Sequence, residues 1–181
     1  MRQHSIRYLC NGKVLPLNLL MENWTCPKKS AIMTPQRHPN NHFQGIQAMF
    51  KVSKMIHFNY GHRLLGGHDK CSHLHGHSAR VQIEMARAKL NPKGMVVDFF
   101  DIKRTIGEWI DRHLDHKMIL WSKDPLAKLL KKAGEPVVLV KENPTAEMLA
   151  RWIFREGRRM KLPVSKVTLW ENQDSCAVYE K

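Results

Sequence analysis

The sequence predicts an α+β fold: an antiparallel sheet with helices packed on one face. Three observations predict it. Ser78 to Leu90 alternates apolar and polar residues, with Val81, Ile83 and Met85 on one side, which is the period of a strand with one buried face. Two later stretches repeat apolar residues at spacings of three and four, the period of amphipathic helices. The order β-β-α-α-β-β sets strands at both ends and helices between them, which suits a helical layer over one sheet.

The elements follow in chain order. Phe50 to Phe58 reads as the first strand and Ser78 to Leu90 as the second, closed by the turn Asn91-Pro92-Lys93-Gly94. A helix starts near Asp98, whose carboxylate, with that of Asp101, suits the positive end of the helix dipole. Its apolar stripe is Phe99, Ile102, Ile106, Trp109, Ile110 and Leu114. Ala127 to Ala133 is a short helical turn ended by Gly134, and Pro136 to Val140 is an apolar strand candidate. A second long helix opens at Asn143-Pro144, where proline is tolerated in the first turn, and carries Met148, Leu149, Trp152 and Ile153. Lys166 to Trp170 and Cys176 to Tyr179, joined across Asn172 to Ser175, form the closing hairpin.

Residues 1–48 show neither periodicity, and two prolines interrupt Thr34 to Asn41. The chain therefore divides into an irregular extension, 1–48, and a structured domain, 49–181. Met49 is a candidate alternative start, and Cys10, Cys26, His38 and His42 are spaced too irregularly for a second metal site.

Composition narrows the function. At 43% hydrophobic and 25% charged, 181 residues can bury one core, and no apolar run is long enough to cross a bilayer. The patch Val14 to Met21 is broken by Pro16 and Asn18 and is no secretory signal, so the expected compartment is the cytoplasm. There the four cysteines should be thiols. A net charge of +14 invites a nucleic-acid reading, but the excess is spread along the chain without an RNA-binding aromatic motif or a cysteine pair of zinc-finger spacing. Nucleic acid is not the expected partner on these grounds.

The chemistry concentrates where the histidines cluster, between His57 and His77. His75 and His77 lie two apart, so on extended backbone they point the same way, and Gly76 between them admits a close neighbour. His62, at the end of the preceding strand, can supply a third imidazole, and three imidazoles with one open position make a catalytic rather than a structural zinc site. A His-Gly-His in a surface loop is the competing reading. His57, His68, His73 and His113 are taken as ordinary exposed or packing residues.

Further motifs shift the balance. Phe-x3-His-Arg-Leu (Phe58 to Leu64), Cys-x3-His-Gly-His (Cys71 to His77), Gly-Met-Val-x-Asp-Phe (Gly94 to Phe99), Leu-Asp-His (Leu114 to His116), Asn-Pro-Thr-x-Glu (Asn143 to Glu147) and the late Glu171 occur in this order. Together they resemble the 6-pyruvoyltetrahydropterin synthase family over residues 50–181. The interval of three between Cys71 and His75 resembles its carboxy-forming branch, the 6-carboxytetrahydropterin synthases of queuosine biosynthesis. The resemblance implies a tunnelling fold (T-fold), a four-stranded antiparallel sheet with two helices on one face. It also implies Zn2+ on His62, His75 and His77, and 7,8-dihydroneopterin triphosphate as substrate, converted with release of acetaldehyde and triphosphate.

In the same way Cys71 is implied to be the base, Asp115 and His116 an acid–base pair that meets the cysteine across a subunit interface, and Glu171 the pterin anchor. Thr145 and Glu147 are further substrate contacts, and the assembly is a trimer or hexamer. Without the resemblance, Cys71 reads equally as a small buried hydrophobe, Asp115-His116 as a helix end, Glu171 as a solvent-facing strand residue, and Thr145 and Glu147 as helix-start residues. Arg63 and Lys70 are candidates for the triphosphate. Met148 and Leu120 stand where many relatives have asparagine. Two other activities remain open at this point: pyruvoyl formation or sepiapterin cleavage, and a basic nucleic-acid-binding protein with structural zinc.

Overall fold

A computed structural model of the protein describes residues 48–67 and 69–181, together with a two-stranded ladder of β1 (Leu9–Cys10) and β2 (Lys13–Val14). The remaining residues of the extension, and with them His38, His42 and Cys26, lie outside the described residues, as does His68. The unit Gly45–Lys181 holds the fold discussed below.

Its centre is a long hairpin. β3 (Phe50–His62) and β4 (His75–Arg87) pair antiparallel over their whole length, from Phe50↔Arg87 to His62↔His75. β4 pairs antiparallel with β7 (Val164–Trp170), and β7 with β8 (Cys176–Glu180). These are the four antiparallel strands the sequence predicts. Two more extend the sheet to six: β5 (Lys117–Trp121) runs parallel to the end of β3, and β6 (Val137–Val140) runs parallel to β5. Sequence pattern finds β6 and misses β5. The run Lys-Met-Ile-Leu-Trp does not alternate, because neighbours Ile119 and Leu120 are both fully buried, as in a strand covered on two faces.

Phe58, Tyr60 and His62 share a face with Ala79, Val81, Ile83 and Met85 of β4 and with Val167 and Leu169 of β7, and all are buried. Lys51, Ser53, His57 and Asn59 project to the other face and are exposed. Over the apolar face lie α1 (Phe99–Ile102) and α2 (Glu108–His113), joined without a break by the π-helical turn Lys103–Gly107. Asp98 caps them by accepting from the Phe100 N–H. Ile102, Ile106, Trp109, Ile110 and Leu114 are buried as expected, but Phe99 is half exposed and stands off the stripe.

α3 (Leu126–Lys132) is short, and α4 (Ala146–Arg159) covers β7 and β8. α4 begins later than the sequence suggests: Thr145 is its N-cap, accepting from the Met148 N–H, and Asn143-Pro144 precede the helix. Those two residues are occupied in holding the His62 end of β3 and the chain that follows it. A close approach fixes the helix on the sheet, since a Cβ at Gly157 would come within 2.7 Å of the Val164 side chain.

Candidate metal centre and active-site cavity

The hairpin register itself builds the histidine cluster. His62 lies opposite His75, and Tyr60 opposite His77, so all four rings rise from one face at the loop end of the β3–β4 hairpin. The His62 Nε2 stands 3.0 Å from the His75 Nε2 and 3.1 Å from the His77 Nε2. Two of the rings are steered from behind: Nδ1 of His62 donates to the Pro144 carbonyl at 2.6 Å, and Nδ1 of His75 to the His73 carbonyl at 2.8 Å. A proton on Nδ1 leaves Nε2 as a lone pair, and carbonyl partners of this kind fix both tautomer and ring direction in metal sites.

Lone pairs this close repel one another unless a cation lies between them. Burial holds the His62 imidazole below its usual range, outweighing the Pro144 carbonyl and Glu171, and so favours the neutral form that binds metal. Among the described residues these three histidines form a group able to hold a metal ion, and the donor chemistry fits one.

The group opens into a cavity of about 460 Å³ whose walls carry seven of the nine expected site residues: His62, His75, His77, Cys71, Thr145, Glu147 and Glu171. Cys71 is partly exposed in the single turn Lys70–Ser72, held by Asp69, whose carboxylate accepts from the Cys71 N–H at 3.0 Å. Thr145 and Glu147 reach the cavity from the start of α4. Glu171 lies one residue past the end of β7 rather than on the strand, and its Oε1 accepts from the Tyr60 hydroxyl at 2.6 Å.

Asp115 and His116 are placed elsewhere. The Asp115 Oδ2 accepts from the His116 Nδ1 at 2.7 Å, and its Oδ1 from the Asn59 N–H at 2.7 Å. Burial pushes the Asp115 carboxyl up, but these hydrogen bonds win and hold it below its ordinary value. His116 sits at φ 53°, a left-handed backbone unusual for histidine, and its side chain is 75% exposed. It lines a second cavity with Asn59, Gly61, Gly76 and Ser78, which shares His75 and His77 with the first, and Cys71 does not border it. Within one chain the expected acid–base pair and the expected base do not meet.

Arg63 is not free for a phosphate. Its Nε and Nη2 donate to the two oxygens of Asp124 at 2.6 and 2.5 Å, a bidentate clamp whose carboxylate is completely buried. The sequence reading misses Asp124, Asn143 and Tyr60. Asn143 grips the Leu65 backbone in both directions at 2.8 Å, beside the carbonyl that steers His62. Tyr60 was accessible to pattern reasoning, since it is two residues before His62 and therefore on its face.

An α+β sheet with a buried-face triad of histidines, opening into a cavity that holds a thiol and two carboxylates, defines a metal-centred enzyme class. The chain belongs to the 6-pyruvoyl tetrahydropterin synthase family, whose model matches residues 51–181. It is 39% identical to the 6-carboxy-5,6,7,8-tetrahydropterin synthase of Rickettsia bellii over 110 residues, 60% of this chain and 80% of that one. To the enzyme of the same name from Haemophilus influenzae it is 35% identical over 142 residues, 74% of this chain and all of that one. Solved structures share the fold. One is an uncharacterised protein of Wolinella succinogenes, with TM-score 0.64 and 24% identity over 74% of this chain and 98% of that one. Another is the 6-pyruvoyl tetrahydropterin synthase of Caenorhabditis elegans, with TM-score 0.56 and 21% identity over 75% and 97%.

Proposed function

We propose that the protein is a zinc-dependent carbon–carbon lyase that converts 7,8-dihydroneopterin triphosphate to 6-carboxy-5,6,7,8-tetrahydropterin, releasing acetaldehyde and triphosphate, in queuosine biosynthesis. The observation that carries this reading is the gathering of Cys71, Glu171 and the three Nε2 atoms around one cavity, in a chain similar to enzymes of that name.

His62, His75 and His77 would hold the zinc, which supplies Lewis acidity toward side-chain oxygens and stabilises the negative charge left when a carbon-bound proton departs. Cys71 takes that proton. Glu171 accepts hydrogen bonds from the amino-pyrimidine edge of the pterin, and Thr145 and Glu147 complete the substrate contacts at the start of α4. Asp115 orients the His116 imidazole, and the pair returns protons to the substrate held by a neighbouring subunit. Lys70, exposed beside Cys71, is the basic residue left for the triphosphate.

A homo-oligomer, trimer or hexamer, follows from that division of labour. Two features support it. Among the described residues one side of β3 is paired only at Tyr60–His62, which leaves its earlier residues an open edge, and β8 forms the opposite open edge. Among the described residues no helix is long and apolar enough to cross a membrane. We place the enzyme in the cytoplasm, where Cys71 stays reduced, with residues 49–181 as the catalytic domain and 1–48 as an extension. Incubation with 7,8-dihydroneopterin triphosphate and mass spectrometry of the pterin tests the function: a carboxylated product with acetaldehyde is expected. A pyruvoyl product, or salt-sensitive RNA binding without pterin turnover, would overturn it.

A further inference from the structure

We propose that the Tyr60 hydroxyl holds Glu171 as a substrate anchor and keeps it from becoming a fourth ligand of the metal. The inference rests on the reading of Glu171 and the histidines given above, and it makes Tyr60 a positioning residue acting through Glu171.

The geometry sets up a competition. The Glu171 Oε1 stands 3.8 Å from the His62 Nε2 and 4.0 Å from the His77 Nε2. Around a tetrahedral zinc with bonds of about 2.0–2.1 Å, ligand atoms lie about 3.3–3.4 Å apart. The carboxylate oxygen is therefore about half an ångström outside that spacing from two of the three ligand atoms, and carboxylate is a competent zinc donor. Glu171 lies past the end of β7, where rotation of its side chain alone can cover that gap. A carboxylate bound there would fill the position that catalysis needs open, and would be lost to the pterin.

Tyr60 opposes this. Its hydroxyl donates to the same Oε1 at 2.6 Å. Its ring is 3% exposed, stacked on Phe58 at 5.6 Å and set against His62 at 5.2 Å, so it cannot follow Glu171 away. The second oxygen, Oε2, takes no hydrogen bond from the described residues and is left for a donor on the substrate.

Tyr60→Phe removes one oxygen and keeps the ring. In the zinc-loaded, full-length protein, transfer of zinc to excess chelator should become slower by about tenfold in this variant. Its KM for 7,8-dihydroneopterin triphosphate should rise about five- to tenfold. A merely structural role for Tyr60 would loosen the metal instead. Adding Glu171→Gln to Tyr60→Phe should return zinc release to the native rate. Release from Tyr60→Phe that is equal to or faster than native overturns the proposal. Glu171→Ala alone separates the two readings: an unchanged KM would remove the anchor assignment, while the zinc-release comparison still judges the ligand competition. Should Tyr60→Phe fail to fold, native protein is compared with Glu171→Gln. Equal release supports the proposal, and about tenfold slower release from the native protein overturns it, because the acid would already be a ligand.

Discussion

Asp124→Asn tests whether the clamp behind the metal site is a stability element. Asp124 accepts two hydrogen bonds from the Arg63 guanidinium and a third, at 2.8 Å, from the Leu126 N–H that opens α3. Asparagine of the same shape keeps one acceptor but turns an NH2 toward a cation. Removing one partner of a buried ion pair costs about 3–5 kcal/mol. The Arg63 side chain is 17% exposed, so water recovers part of that, and a loss of about 2–3 kcal/mol is expected. For a domain of this size that lowers Tm by roughly 6–12 °C. The measurement is thermal unfolding of metal-free protein in chelator, so that metal-linked stability does not enter.

The pH dependence has a definite sign. The Arg63 guanidinium, against the opposing effect of burial, holds the Asp124 carboxyl below its ordinary value. Its stabilisation is therefore complete above about pH 4, the unfolded value, and lost as pH falls through the folded one. The gap between native protein and Asp124→Asn should be full at neutral pH and narrow below about pH 4. A Tm loss under about 2 °C at neutral pH, or a gap indifferent to acid, would refute the reasoning.

Three further outcomes are expected. His75→Ala should lose zinc affinity by more than about a hundredfold, since losing an outer partner of a ligand alone costs about 10–100-fold; equilibrium dialysis with metal analysis decides. Cys71→Ala should retain zinc and fold but lose turnover by about 10²–10⁴, and zinc loss would instead make the thiol a ligand. A chain beginning at Met49 should melt within about 2 °C of the full chain, bind zinc and turn over equally; lost assembly or activity would make the extension a working part.

Much of the site was legible because ligand chemistry and strand period coincide. His75 and His77 need only two-residue spacing to point together, and His62 needs only to end the strand before them. What stayed hidden depends on contacts distant in sequence. Arg63 reads as a free cation until Asp124, 61 residues away, takes its guanidinium. Asn143-Pro144 reads as a helix start, yet tertiary demand spends the Asn143 amide on Leu65 and the Pro144 carbonyl on His62, and the helix begins after them. β5 is invisible because burial on both faces erases the alternation by which a strand is recognised.

On the proposed mechanism, the Asp115–His116 pair ties the open sheet edge to the chemistry. Both backbone groups of Asn59 are spent on it: the N–H donates to the Asp115 carboxylate at 2.7 Å, and the carbonyl accepts from the His116 N–H at 2.6 Å. Among the described residues, Asn59 is also where β3 stops having a partner on that side, since β5 pairs only with Tyr60–His62. A second copy that extends the sheet along the free part of β3 would arrive beside the His116 imidazole, which is exposed in the single chain. If each site draws Cys71 from one subunit and His116 from the next, two inactive variants can complement. Cys71→Ala and His116→Ala, each dead alone, should regain activity when mixed under conditions that exchange subunits. Random assembly of equal amounts leaves about one quarter of the sites with both residues, so recovery should approach about a quarter of the native rate. Native mass spectrometry first establishes that mixed oligomers have formed. Mixed oligomers with no activity above either parent would remove His116 from the site that holds Cys71, and the subunit-spanning mechanism would fall.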